Sequence, residues 1–430
     1  DVCSSDLNAT ELSVVQERHA RHFVQVAKRR GPFLQWQKDT RGSIARLDED
    51  QDNFRAALTW THQHDPYDSF LELVSALQPY WALRGNLQEG QHWLERALVF
   101  ANDAPLPKRA IAVRACAWSV RYLGDYPRAD VLGREALDLA TRAGDRYGIL
   151  HALTLLGYSA YEQGNFALAE ETFQNVRARA EEIGDPIWVA WATRSIGRVA
   201  YELGDLATAQ TMNQRAIAQF ETADCPFGAI EAQAGNALIA FKRGEIAQAA
   251  ECWRQRIGPG DELGLGAAVD GLTDIAIRLQ HWEWAALLLS VAEMHHVRRG
   301  THIRPVARPR FDGYVDTVRS ALDPPILMAA WDRGQRCSAD EARTLAYSYI
   351  SELSAQPPVP ATPGPNRFGL TRREFEVLEL VAAQRTNRQI AESLFISIPT
   401  VKRHLSTAYG KLGVDTRDEA AALLFATPSG

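Results

Sequence analysis

A Gly-Asp-type turn recurs every 40 residues through the middle of this chain, and no other feature constrains the fold as tightly. Gly124-Asp125, Gly164-Asn165, Gly204-Asp205 and Gly244-Glu245 share one register, and Ala129, Ala169, Ala209 and Ala249 recur in step with them. Gly144-Asp145 and Gly184-Asp185 mark a second turn in each unit, with Ala223-Asp224 in the next. Each unit therefore reads as helix, glycine turn, helix, turn. The small alanine after the first turn lets the two helices approach closely. A fixed period of this size predicts an all-α solenoid, in which every unit buries its apolar face against its neighbours. Gly85-Asn86 suggests an earlier, degenerate unit, and His281-Trp282 a terminal one.

These units resemble tetratricopeptide repeats, stretched beyond the usual length of about 34 residues. Gly157 and Gly197 match the small residue of that repeat's first helix, and Phe173 an aromatic of its second. A solenoid offers a concave surface to a peptide, protein or small molecule. Among the 11 tryptophans, Trp118, Trp188, Trp191, Trp253, Trp282 and Trp284 fall in or beside the repeats. Either they fill gaps between helices or some of them form a ligand cage; gap filling is the favoured reading.

The C-terminal stretch Leu370–Ala426 has a different grammar. Thr371 with Glu374 three residues later is a capping box that starts a helix. Phe375, Leu378, Val381 and Ala382 give that helix one apolar face. Asn387 can cap a short second helix carrying Ile390, Ala391 and Leu394, and Phe395-Ile396 makes a turn. Ser397 can cap a third helix, with Pro399 tolerated in its first turn. Thr416 with Glu419 starts a fourth. On the third helix Val401, Leu405, Ala408 and Leu412 face the core, and Lys402, Arg403 and Ser406 fall on the opposite side. Long basic side chains there can reach guanine O6 and N7, while Thr400, His404 and Lys411 flank the face and suit phosphates. An isolated Lys-Arg pair is usually just a solvated face; the complete cap-helix-turn-helix frame favours DNA.

The segment closely resembles the LuxR-type helix-turn-helix family. The resemblance rests on LTRRE at Leu370–Glu374, TNRQIA at Thr386–Ala391, Ile396-Ser397, TVKRHL at Thr400–Leu405, and KLGV at Lys411–Val414 followed by Arg417. It implies that the helix holding Thr400-Val401-Lys402 enters the major groove of promoter DNA. Lys402, Arg403 and Ser406 would then face bases, and Asn387, Thr400, His404 and Lys411 would lie near the backbone. The family usually has Gly where Gln384 sits and Glu where Gln389 sits. The fourth helix around Ala420–Leu424 is the family's usual dimer face, so a dimer or higher assembly on repeated half-sites is expected. RNA polymerase is the expected further partner.

Leu47–Trp60 and Arg310–Ala342 resemble segments that flank the repeats in large LuxR-type regulators carrying a STAND-class ATPase domain upstream. No GxxxxGK[ST] phosphate loop occurs in this chain, and Gly258–Gly266 lacks the following Lys-Ser/Thr. No cofactor is expected within these residues; ATP would belong to an upstream domain. The opening residues Asp1–Leu7 read as a segment foreign to the protein, so the chain is expected to be a fragment. The predicted organisation is therefore a non-native segment over 1–7, a helical region over 8–100, repeats over 101–290, a helical end region over 291–353, a linker over 354–367 and the helix-turn-helix domain over 368–430.

Composition narrows the alternatives. Apolar content of 46% and charged content of 23% suit a globular protein. No run of about 18 apolar residues suggests a membrane span, and a cytoplasmic location is expected. Five irregularly spaced cysteines, with no CxxC, argue against a disulfide framework or metal site. His295-His296 with His302 lacks acidic or cysteine partners, so it is a poor metal cluster. No HExxH, GxSxG or nucleophile-base pattern points to an enzyme. Five prolines between Ser354 and Pro365 favour an extended spacer. Beyond it, Arg367–Arg417 carries nine Arg/Lys against five Asp/Glu, a balance of +4 in a chain whose net charge is −6. A basic module on an acidic body fits DNA binding through one end, with exposure of the module controlled by an inducer. The competing reading is an interaction scaffold built on the repeats, with a vestigial DNA module.

Overall fold

The computed structural model describes residues 9–32, 34, 39–258, 262–299, 303, 307–355, 370–382, 385–393, 397–417 and 419–420. Among these residues the chain is helical, without strands. Five helices come first: α1 Ala9–Arg30, α2 Thr40–Asp48, α3 Gln51–His64, α4 Leu71–Arg84 and α5 Leu87–Ala101. The repeats follow as α6 Leu106–Tyr122, α7 Tyr126–Ala143, α8 Arg146–Glu162, α9 Phe166–Ile183, α10 Pro186–Glu202, α11 Leu206–Thr222, α12 Pro226–Arg243 and α13 Ile246–Arg256. Next come α14 Glu262–Arg278, α15 Trp282–Arg299, α16 Arg308–Ala321, α17 Pro324–Arg336 and α18 Ala339–Ala355. The last three are α19 Arg372–Ala382, α20 Asn387–Ser393 and α21 Ile398–Leu412. The chain divides into two compact units: the larger holds α1–α18 apart from residues 240–247 and 354–355, and α19–α21 belong to the smaller.

The Gly-Asp dipeptide is a stop followed by a start. Gly124, Gly144, Gly164, Gly184 and Gly204 all lie at φ between 67° and 89°, where a Cβ would be strained. The left-handed residue turns the chain so that the next amide closes the helix: Asp145 N donates to Ala140 O at 2.9 Å, and Asp205 N to Ala200 O at 2.9 Å. The Asp or Asn then caps the following helix. Asp125 accepts from Arg128 N, Asp145 from Gly148 N, Asn165 from Leu168 N, Asp185 from Trp188 N and Asp205 from Thr208 N. Two neighbouring residues thus satisfy orphan groups of two helices, at about 1 kcal/mol for each cap.

Ala223-Asp224 departs from the expected register. Asp224 itself is the left-handed residue, at φ 51°, and Cys225 N donates to Phe220 O at 2.9 Å. Asp224 therefore stands in the glycine place and Cys225 in the capping place, one residue later than the dipeptide suggested. Gln280, at φ 58°, is the other non-glycine in this conformation among the described residues.

Packing follows the predicted logic. Ala129, Ala169, Ala209 and Ala249 are fully buried. Gly157 lies against Phe173: a Cβ there would come within 2.7 Å of the ring. Phe173 and Phe220 are themselves fully buried, worth about 1.5–3 kcal/mol each. At the degenerate first unit, Gly85 is left-handed, and Gly90 takes the place of the packing alanine because Trp81 leaves no room for a Cβ. One apolar core runs from Ala20 in α1 to Leu155 in α8, so the leading helices and the first repeats share it. Trp188 and Trp253 are buried gap fillers, whereas Trp118 and Trp191 are half-buried. Cys116 is also buried, which pushes its thiol up to about 12. The Pro-rich spacer lies outside the described residues from 356 onward.

Candidate DNA-binding interface

Each helix of the smaller unit starts on a local polar bond. At α19, Thr371 N donates to Glu374 Oε2 at 2.7 Å and Glu374 N to Thr371 Oγ1 at 3.3 Å, the reciprocal box expected from sequence. At α21, Ser397 Oγ accepts from Thr400 N at 3.2 Å, and Gly413 ends the helix at φ 68°. Glu419 Oε2 accepts from Thr416 N at 3.1 Å, and Glu419 N donates to Thr416 Oγ1 at 3.2 Å. Gln384, Leu394 and the Phe395-Ile396 turn lie outside the described residues, as do 421–430.

The second helix corrects one expectation. Its cap is Thr386, not Asn387: Thr386 N donates to Gln389 Oε1 at 2.9 Å, and Gln389 N to Thr386 Oγ1 at 3.3 Å. Asn387 is already inside α20, and its Oδ1 accepts from Arg417 Nη1 at 3.0 Å. Arg417 also donates to the carbonyl of Arg385. The Thr-x-x-Gln spacing was present in the sequence; Asn387, itself a good cap, masked it.

The core of the unit fixes which side of α21 faces outward. Val401, Leu405 and Ala408 are buried with Val377, Leu378, Val381 and Ile390. Ala420 is buried in the same core, so this residue of the expected dimer face is covered by its own module. Lys411 Nζ donates to Glu374 Oε2 at 2.7 Å and bolts the end of α21 to the start of α19. Burial of Glu374 favours its neutral form, but the bonds from Lys411 and Thr371 outweigh it and hold the carboxyl below its ordinary range.

Lys402, Arg403 and Ser406 lie exposed on the opposite side of α21. Among the described residues none of their side chains makes a hydrogen bond or ion pair, and their donors are uncommitted. Thr400 and His404 are half-buried at the edges of this face. Thr400 Oγ1 lies 2.7 Å from Ser397 Oγ. Lys411 is exposed but commits one donor to Glu374. Asn387 commits its carbonyl to Arg417, leaving its amide available. The face thus brings together a cationic pair and a hydroxyl on one rigid helix, the chemistry needed to read acceptors on base edges. His302 lies outside the described residues, and among the described residues no three His, Cys, Asp or Glu group as metal ligands.

Residues 369–424 match the family model of bacterial regulatory proteins, luxR family, and residues 82–257 match that of the MalT-like TPR region. The spore germination protein GerE of Bacillus subtilis is 49% identical over 55 residues, covering 13% of this chain and 74% of GerE. The HTH-type transcriptional regulator MalT of Yersinia pestis is 38% identical over 72 residues, covering 17% of this chain and 8% of MalT. An HTH-type transcriptional regulator of Mycobacterium tuberculosis is 30% identical over 125 residues, covering 27% of this chain. The chain spans 14% of the length of that mycobacterial relative.

Proposed function

The chain belongs to the luxR family of bacterial regulatory proteins, and from that premise we propose that it controls transcription by placing α21 in the major groove of promoter DNA. Lys402 and Arg403 read base-edge acceptors and Ser406 adds a shorter contact. Thr400, His404, Lys411 and the free amide of Asn387 hold phosphates and set the register. The observation that carries this reading is the pair of uncommitted cations on the exposed side of a helix whose other side is locked into a core. The module acts as a dimer or higher assembly on repeated half-sites, in contact with RNA polymerase, and has no enzymatic activity of its own. The repeat body senses an inducer or a protein partner on its inner face.

Selection of random duplex DNA by the full chain, repeated with Lys402→Ala and Arg403→Ala, tests the proposal. A defined motif that relaxes in either variant supports it. Binding without a motif, unchanged by both substitutions, overturns sequence reading and leaves only phosphate contact.

A further inference from the structure

One apolar residue at the start of α21 has no task in the readout by polar groups. Ile398 opens the helix and is 41% exposed. Among the described residues it is the only large apolar side chain of the smaller unit left in water to this extent. The described core of that unit is built without it: Val401, Leu405 and Ala408 supply the buried stripe of α21, and Tyr409 and Leu412 pack against it. A single exposed apolar residue is ordinary on a protein surface. This one differs in its neighbours.

Ile398, Lys402 and Ser406 follow one another at four-residue spacing, so they form a single row along α21. All three are exposed. Ile398 thus stands one turn ahead of Lys402, at the end of the helix whose residues contact base edges when a helix-turn-helix docks. The backbone around it is held: Ser397 Oγ accepts from Thr400 N at 3.2 Å, and Pro399 fixes its own φ in the first turn. The side chain is branched at Cβ, which leaves one strongly preferred χ1 in a helix. The chain therefore presents a short, stiff apolar group beside Lys402, and orienting it on binding costs little entropy.

One group on the base edges of the major groove is apolar, the C5 methyl of thymine. Lys402 and Arg403 address acceptors, and neither rewards that methyl. We infer that Ile398 is a specificity-determining residue that packs its side chain on a thymine methyl. Four residues of helix advance about 6 Å, and base pairs stack about 3.4 Å apart. The thymine therefore lies about two base pairs from the one that Lys402 reads. The inference rests on the placement of α21 in the major groove, and it adds a hydrophobic contact to a readout otherwise made of hydrogen bonds.

Binding of the full chain to its selected operator, with each thymine replaced in turn by uracil, tests this. Uracil pairs identically and lacks only the methyl. Replacement of one thymine, within about two base pairs of the position relaxed by Lys402→Ala, is expected to weaken the parent about three- to fivefold, the worth of one buried methyl group. Ile398→Ala is expected to lose a similar factor on the thymine operator and to bind the thymine and uracil operators equally, whereas Lys402→Ala keeps the preference for thymine. Should Ile398→Ala lose the melting transition of the helix-turn-helix unit, Ile398→Gln, which places a polar tip on a good helix former, gives the same reading. The inference is overturned if the motif holds no thymine, if no uracil weakens the parent, or if a folded Ile398 variant keeps the parent's thymine preference. Selection that returns no motif at all rejects the major-groove reading itself, and this inference with it.

Discussion

Lys411 Nζ and Glu374 Oε2 lie 2.7 Å apart, and this one contact ties the last turn of α21 to the capping box of α19. The carboxylate thus serves two partners, an orphan backbone amide and an ammonium from a helix 37 residues away. It adds to the apolar core of Val401, Leu405 and Ala408, which fixes the side of α21 that faces outward.

Lys411→Met is expected to destabilise the helix-turn-helix unit by about 1–2 kcal/mol, the range for a charge-assisted bond discounted for the partly exposed lysine. The acid side follows from the depressed Glu374 carboxyl. A carboxyl held below its unfolded value, about 4.3, contributes stability that is present above that pH and is lost as pH falls through the folded value. Thermal melts from pH 7 down to 3 should show this loss in the parent and a flatter profile in Glu374→Gln.

Base-facing and phosphate-facing residues should separate by their salt and sequence dependence. Lys402→Ala or Arg403→Ala should cost about 1–3 kcal/mol of discrimination at particular base pairs. His404→Ala should weaken binding by a similar factor on all sequences. Competition binding on a panel of single-base operator variants at two salt concentrations distinguishes the two. Equal loss on every sequence for Lys402→Ala would remove it from base reading.

The close approach of Gly157 to Phe173 predicts intolerance of one methyl group. Gly157→Ala should destabilise the repeat body by about 1–3 kcal/mol through overpacking. Gly313, in α16, has open space around its missing Cβ, so Gly313→Ala should stabilise by about 0.5–1 kcal/mol. Urea midpoints of the two variants should move in opposite directions.

Gln280 holds a left-handed conformation that favours glycine. Gln280→Gly should raise stability by about 0.5–1 kcal/mol, the relief of backbone strain less the entropy that glycine adds to the unfolded chain. A lowered melting temperature would mean that the Gln280 side chain compensates for its backbone.

Local chemistry was legible from the residues. The helix stops and starts at Gly124-Asp125, Gly164-Asn165 and Gly204-Asp205 depend on φ freedom and a cap three residues ahead, all within one turn of chain. The same holds for the boxes at Thr371–Glu374 and Thr416–Glu419 and for the buried stripe of Val401, Leu405 and Ala408. Where two neighbours could do one job, the reading slipped by a residue, as at Thr386 beside Asn387 and at Asp224 beside Ala223.

The sequence by itself determined the solenoid period, the caps and the polar face of α21, because each follows from interactions within about four residues along the chain. Only the tertiary structure decided which charges are spent and which remain available. Lys411 with Glu374, Arg417 with Asn387, and Arg194 and Arg256 with Glu231 meet across 25 to 37 residues of sequence. Arg121 looks like any surface arginine in the chain until packing puts the rings of Trp118, Tyr122 and Tyr158 around it. Pairing depends on where the folded backbone delivers a side chain, and that is set by the packing of whole helices rather than by the residues next to it.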